Sequence, residues 1–119
     1  MVDLVEEYVG HIIAMNSTDY GNKLSVVLHN KHAKRIRKIA MIINQHHPEL
    51  KNPFFSLLRN KNKNVKLWAA HHILEVMNFN KDEQESAVAI IRQNAQEDSV
   101  YGLGDRMWLK DWLENHKRE

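Results

Sequence analysis

The chain has 119 residues, no cysteine and a formal net charge of +2 at pH 7. This length suits one domain with a single hydrophobic core, and the lack of cysteine excludes disulfides, thiol nucleophiles and thiolate metal sites. Glycine and proline are scarce, with four and two residues. Helix-forming residues fill the rest of the sequence, so we expect a single all-α domain over residues 1–119.

Apolar periodicity predicts about six helices separated by short polar segments. The first carries acidic side chains in its first turns, where the helix dipole favours them. The second ends before Pro48, because the residue that precedes a proline disfavours helical backbone. The fourth is apolar on almost every side and should lie centrally in the core. The predicted ranges are Asp3–Met15, Asn22–His46, Pro53–Arg59, Asn64–Met77, Lys81–Gln96 and Asp105–His116.

One arc of the long second helix is predicted to face the core, because its apolar residues recur at helical spacing. A row of lysines flanks this arc and should stay in solvent, whereas Arg35 lies beside it and could extend along it to water. The predicted buried arc comprises Leu24, Leu28, His32, Ile36, Ile39, Ile42 and Ile43.

Eight histidines, some of them adjacent in sequence, raise the possibility of a metal site. His29 and His32 are three residues apart on one helix, but no carboxylate joins them in an HExxH-like arrangement. Adjacent histidines on a helix point about 100° apart and cannot chelate together. A structural role is favoured: His32 and His72 should be buried and bonded to loop carbonyls, and His71 should pair with Glu75 at the surface. We expect no metal and no cofactor.

Three tryptophans, Trp68, Trp108 and Trp112, could form an interface hot spot together with Tyr101. Their helical spacing favours a position in the core instead, with Trp108 and Trp112 closing one end of the helix stack. No serine lies in a nucleophile-elbow context, there is no glycine-rich phosphate loop, and no acid–base pair stands out. We therefore expect no enzymatic activity.

Basic residues concentrate in the middle of the chain. Residues 31–66 carry ten bases and one acid, a net +9, between segments of −3 (residues 1–30) and −4 (residues 67–119). Such a belt could be a solvated surface balanced by nearby acids, or it could attract an acidic protein surface or a phosphate backbone. Aromatic residues are not interleaved with the lysines, which makes nucleic acid the second choice. The candidate partner-binding residues are Lys31, Lys34, Lys38, Lys61 and Lys63.

The segment FFSLLRNKNKNVKLWAAHHILEV resembles a HEAT-type repeat, in which a helix with a leucine-rich end is followed by a second helix with a valine, a base and a small pair. Val65, Lys66, Ala69 and Ala70 stand at those positions, and the alanines would let neighbouring helices approach closely. Asn60 and Lys66 depart from the usual aspartate and arginine. The resemblance implies a short α-solenoid of antiparallel helix pairs, in which Lys66 ties the fourth helix to its neighbour.

The wider chain is similar to a family of small bacterial HEAT-like α-helical proteins, some of which are suspected immunity partners of polymorphic or contact-dependent toxins. The similarity lies in the apolar first helix, the DYGNK entry to the second, the VKLWAA helix and the late W…W helix. It implies a protein-binding module that neutralises a toxin domain by stoichiometric occlusion. A nucleic-acid-binding HEAT-like protein is the alternative.

The amino-terminal segment is acidic, which is not typical of a signal peptide. No apolar stretch reaches the length that a membrane span needs. We therefore expect a cytoplasmic protein with no membrane partner.

Overall fold

The computed structural model describes residues 3–96 and 100–116, except for the side chains of residues 100–103 and 116. Within these ranges the chain forms six α-helices, two short 3-10 turns and no strand, which confirms the predicted all-α fold class. The helices are α1 Leu4–Met15, α2 Lys23–His46, α3 Lys51–Phe55, α4 Lys63–Glu75, α5 Lys81–Ala95 and α6 Val100–His116.

Side chains that cap the amino termini fix where four of these helices begin. Asp3 caps α1, and Asn22, Asn62 and Asn80 cap α2, α4 and α5, each accepting hydrogen bonds from backbone N–H groups of the first turn. Glu83 completes a capping box with Asn80 by accepting from the Asn80 backbone N–H. Each cap satisfies N–H groups that have no partner inside the helix.

Consecutive long helices pack antiparallel. Near the middle of the α1/α2 pair Arg35 contacts Glu7, and near its connecting turn Thr18 lies 2.8 Å from His29. In the α5/α6 pair, Asn94 at the end of α5 contacts Asp105 near the start of α6. Antiparallel neighbours of this kind are what a helix-pair stack requires, and the HEAT-like stack itself remains a prediction.

Helix α4 lies at the centre of the domain, as predicted. It packs against α1 on one side and against α5 on the other. Val65, Ala69, Ala70 and Ile73 are fully buried, and the two alanines leave room for the neighbouring helices.

The third and sixth helices differ most from the prediction, and α4 ends at Glu75, two residues before its predicted end. The third helix is divided: Pro48–Leu50 forms a 3-10 turn, α3 follows directly, and a second 3-10 turn covers Ser56–Arg59. Helix α6 begins at Val100, five residues before the predicted start. Glycine lowers helix propensity by only about 1 kcal/mol, so Gly104 inside α6 weakens the helix without ending it.

The predicted buried arc of α2 is wrong at its amino-terminal end. Ile36, Ile39 and Ile43 are fully buried, but Leu24 and Leu28 are 75% and 55% exposed. Residues spaced four apart drift by about 40° per step around a helix of about 3.6 residues per turn. Leu24 is therefore rotated by about 120° from Ile36, away from the core.

Candidate functional site

The five candidate lysines occupy two separate parts of the domain. Lys31, Lys34 and Lys38 are exposed on α2, which packs chiefly against α1. Lys61 and Lys63 are exposed where α4 begins, and they line a cavity of about 230 Å³ together with residues of α5. The basic belt of the sequence is thus divided between two elements, α2 and the start of α4.

The exposed side of α2 combines apolar and basic side chains. Six such residues, from Leu24 to Lys38, fall within about a third of the helix circumference at about 3.6 residues per turn. Ile36 and Ile43 lie on the other side of the helix. Val27 is 49% exposed, between the more exposed Leu24 and Leu28. We call this surface the α2 outer face; it comprises Leu24, Val27, Leu28, Lys31, Lys34 and Lys38.

Helix α2 is entirely without acidic residues, although it is the longest helix of the described chain. It has six bases, so the positive charge of the α2 outer face is not balanced within its own helix. The bases are Lys23, Lys31, Lys34, Arg35, Arg37 and Lys38.

Polar contacts with α1 fix the orientation of α2. Arg35 donates from Nε and Nη2 to the two carboxylate oxygens of Glu7, at 2.7 and 3.1 Å. The hydrogen bond from Arg35, together with a contact from His11, lowers the pKa of Glu7 to about 2 despite partial burial. One turn away, His11 Nδ1 and His32 Nδ1 lie 2.7 Å apart, within hydrogen-bond distance. These contacts hold α2 against α1 in the stretch from His32 to Arg35, whereas Leu24, Val27 and Leu28 stay exposed.

A cleft of about 790 Å³ lies between the α1–α2 turn and the side of α4 that faces α6. Thr18 and Tyr20 line it from the turn, and Trp68, His71 and Glu75 line it from α4 at helical spacing. The remaining lining residues are Met15, Asn16, His29, Lys63, Asn64, Leu67, Asn94 and Asp105.

A polar network joins α4, α5 and α6 at this cleft. His71 Nε2 lies 3.0 Å from Asp105 Oδ1, and Asn94 Nδ2 donates to Asp105 Oδ2 at 2.6 Å. On the other side of the ring, His71 Nδ1 lies 4.0 Å from Glu75 Oε2. Trp108 Nε1 donates to Glu75 Oε1 at 3.3 Å.

Sequence reasoning found only part of this network. The spacing of His71 and Glu75 predicted their proximity, but Asp105 was missed because it contacts His71 across 34 positions of sequence. Asn94 was missed as well. A buried asparagine on the apolar side of an amphipathic helix was the one available signal.

His72 is buried as predicted, but its partner differs from the prediction. The Tyr8 hydroxyl and His72 Nδ1 are hydrogen-bonded at 2.7 Å, and no loop carbonyl is the partner of the ring. Burial lowers the pKa of His72 to about 3 and raises that of Tyr8. His32 is only partly buried, contrary to the prediction, and its partner is His11 and not a carbonyl. This partial burial still lowers its pKa.

The three tryptophans are all partly buried and pack against the core. Trp108 and Trp112 stack with ring centroids 5.4 Å apart, and the side chain of Tyr101 lies outside the described residues. Among the described residues, no three His, Cys, Asp or Glu side chains are placed to hold a metal ion. No helix within 3–96 and 100–116 is both long and apolar enough to cross a bilayer.

Comparison of the chain with protein-family models, with curated proteins and with solved structures gives no match. The resemblance to HEAT-type repeats and to immunity proteins therefore stays a prediction.

Proposed function

We propose that this chain is a protein-binding module that contacts an acidic partner through the α2 outer face. The observation that carries the proposal is the exposure of three large apolar side chains, Leu24, Val27 and Leu28, on one side of one helix. Exposed apolar residues that cluster in this way mark interaction surfaces, because water exclusion at a partner rewards their burial.

The lysines of the same surface select the partner. Lys31, Lys34 and Lys38 continue the line of the apolar residues along α2, so an apolar anchor is followed by a basic rim. A second copy of the α2 outer face packed in parallel would place lysines against lysines, which disfavours that arrangement. A partner surface with an apolar centre and acidic residues around it would complement both the apolar residues and the lysines of the α2 outer face.

The finer form of the proposal is that the partner is a toxin domain and that the chain is its immunity protein. This form rests on the sequence resemblance described above. Inhibition would be stoichiometric, with the bound α2 outer face and its neighbours covering the active site or the substrate groove of the toxin. A partner encoded beside this gene is the natural candidate.

The decisive experiment compares matched pairs of exposed apolar residues in binding to the domain encoded by the neighbouring gene. The double variant Leu24→Ser and Leu28→Ser changes the α2 outer face, and Met107→Ser with Leu113→Ser changes two exposed side chains of α6. All four positions are exposed, so both variants should remain folded. We expect the α2 variant to bind at least tenfold more weakly by calorimetry, and the α6 variant to bind like the wild type.

Growth rescue tests the immunity form in the same strains. Co-expression of the wild-type chain should restore growth to cells that produce the toxin domain, and the α2 variant should not. Binding without growth rescue would contradict the immunity role, but not the role of the α2 outer face in binding. Equal binding by both double variants contradicts the assignment to α2.

Nucleic-acid binding is the competing function, favoured by the three exposed lysines in a row on α2. It is tested by titration against duplex and single-stranded DNA and RNA at increasing salt. Micromolar affinity with a steep loss of affinity as salt rises would support it, whereas no binding at low salt would remove it.

A further inference from the structure

We propose that the partner presents an α-helix to α2, with acidic side chains opposite the three lysines of the α2 outer face and apolar side chains at both ends of the contact. This rests on the proposed function and adds to it the kind of element that the partner contributes. Three observations on α2 carry it: the spacing of its exposed side chains, the state of its backbone and its lack of acids.

The exposed side chains of α2 form one line along the helix. We call this line the outer seam; its members are separated alternately by three and four residues and are Leu24, Val27, Lys31, Lys34, Lys38 and Met41. All six are exposed, and Met41 at the far end is 40% exposed. Alternation of three and four residues is the spacing with which two helices bury a shared seam.

The backbone of α2 restricts how a partner can contact it. Inside an α-helix each N–H group donates to the carbonyl four residues earlier, so the middle of α2 offers no free backbone group. A strand cannot add to it by main-chain pairing, which needs an exposed sheet edge. Contact is therefore made by side chains alone.

The period of the outer seam matches a helix better than a strand. Its side chains follow one another about every 5 Å over a length of about 26 Å, since each residue of an α-helix rises by about 1.5 Å. A strand presents side chains on one face about every 6.7 Å, so it would fall out of register along the seam. A second helix keeps register with it.

The order of side chains on the outer seam sets the composition of the partner helix. The lysines occupy its middle and the apolar residues occupy its two ends. Lysines covered by a neutral surface lose hydration without compensation, so acids are needed opposite them. The outer seam of a second copy cannot supply these acids, because α2 contains no Asp or Glu. The matching helix is therefore acidic in the middle and apolar at both ends.

A synthetic peptide provides the test. It is an alanine-rich helix of about 21 residues, long enough to be partly helical in water, with glutamates at the middle positions of a three–four seam and leucines at both ends. This pattern fits the outer seam in either direction. We expect it to bind the full chain at low salt with a dissociation constant on the order of 100 μM by fluorescence anisotropy, and more weakly as salt rises.

A rearranged peptide is the control for spacing. It has the same composition, but its glutamates and leucines are distributed over all sides of the helix. It should bind at least tenfold more weakly, because only part of its side chains can reach the outer seam at one time.

Charge reversal in the chain separates a specific seam from general attraction between opposite charges. Lys34→Glu with Lys38→Glu reverses two positions of the outer seam, and Lys81→Glu with Lys110→Glu makes the same change at exposed positions of α5 and α6. The first variant should lose at least tenfold in affinity for the glutamate peptide, because like charges then face each other. It should gain affinity for a peptide with lysines in place of the glutamates. The second variant should bind like the wild type.

Several results would overturn the proposal. Equal binding of the ordered and rearranged peptides, or equal loss of affinity in the two variants, would show that no seam is recognised. Absence of peptide binding while the neighbouring domain still requires Leu24 and Leu28 would exclude a helix and leave the proposed function in place. Self-association of the wild-type chain that Leu24→Ser with Leu28→Ser abolishes would assign the outer seam to a second copy. Binding of DNA or RNA but not of the peptide would assign its lysines to nucleic acid.

Discussion

The buried contact between Tyr8 and His72 should make the stability of this domain depend on pH. His72 is 4% exposed, and burial lowers its pKa to about 3 in the folded chain, against 6.5 for an ordinary histidine. Between pH 3 and pH 6.5, this histidine is therefore protonated in the unfolded chain and neutral in the folded chain. A lowered histidine pKa gives full stability above pH 6.5 and progressive loss as the pH falls towards 3.

The size of the effect follows from the pKa difference. Each pH unit below 6.5 costs about 1.36 kcal/mol, so this residue alone should remove about 2 kcal/mol between pH 7.5 and pH 5. That is a substantial part of the total stability of a small domain, which is about 5–15 kcal/mol. His32, whose pKa is also lowered, adds to the loss in the same direction.

Urea unfolding followed by circular dichroism at the two pH values measures this free energy. The double variant Tyr8→Phe with His72→Leu removes both polar partners, so at pH 7.5 its stability should stay close to that of the wild type. Its loss on going to pH 5 should be about 2 kcal/mol smaller than that of the wild type. Tyr8→Phe alone leaves the buried His72 Nδ1 without its hydrogen-bond partner and should cost about 1–3 kcal/mol.

If the double variant kept the pH dependence of the wild type, His72 would not be the cause of the lost stability. The same would follow if the wild-type free energy of unfolding were equal at pH 7.5 and pH 5. Either result would mean that His72 is protonated in the folded chain.

Two further predictions concern helix propensity and capping. Asn62→Ala removes the cap of α4 and should lower the free energy of unfolding by about 1 kcal/mol, whereas Asn30→Ala, in the exposed middle of α2, should cause no loss; equal effects at the two sites would contradict the capping role. Gly10→Ala should raise the melting temperature, because a Cβ there meets nothing within 4 Å and alanine favours a helix by about 1 kcal/mol over glycine; a lower melting temperature would contradict the open environment.

Local signals in the sequence were sufficient to predict most helices. Helices α1, α2 and α5 begin and end within one residue of the predicted positions, because their caps and their polar breaks are encoded in neighbouring residues. The start of α6 was misplaced, because two glycines weaken a helix without deciding whether tertiary contacts retain it. In the described chain, Asn94 and His71 both bind Asp105 in the first turns of α6.

The candidate sites were harder to predict, because they depend on which elements meet. The periodicity of α2 identified its apolar residues, yet the exposure of Leu24 and Leu28 depends on which of the other described helices pack against this end of α2. The cleft depends on contacts such as that between His71 and Asp105, which no local pattern encodes. For the five lysines, sequence proximity does not reveal how three on α2 and two at the start of α4 are arranged relative to each other.

The order of the helices also affects how the chain folds. The largest interfaces join consecutive helices, α1 with α2, α4 with α5 and α5 with α6, so most of the native contacts close only short loops. Topologies of this kind fold quickly. The exception is the seam between α1 and α4, where Tyr8 and His72 are 64 positions apart. We expect this seam to close late, which would make the docking of two preformed helical halves the slowest step of folding.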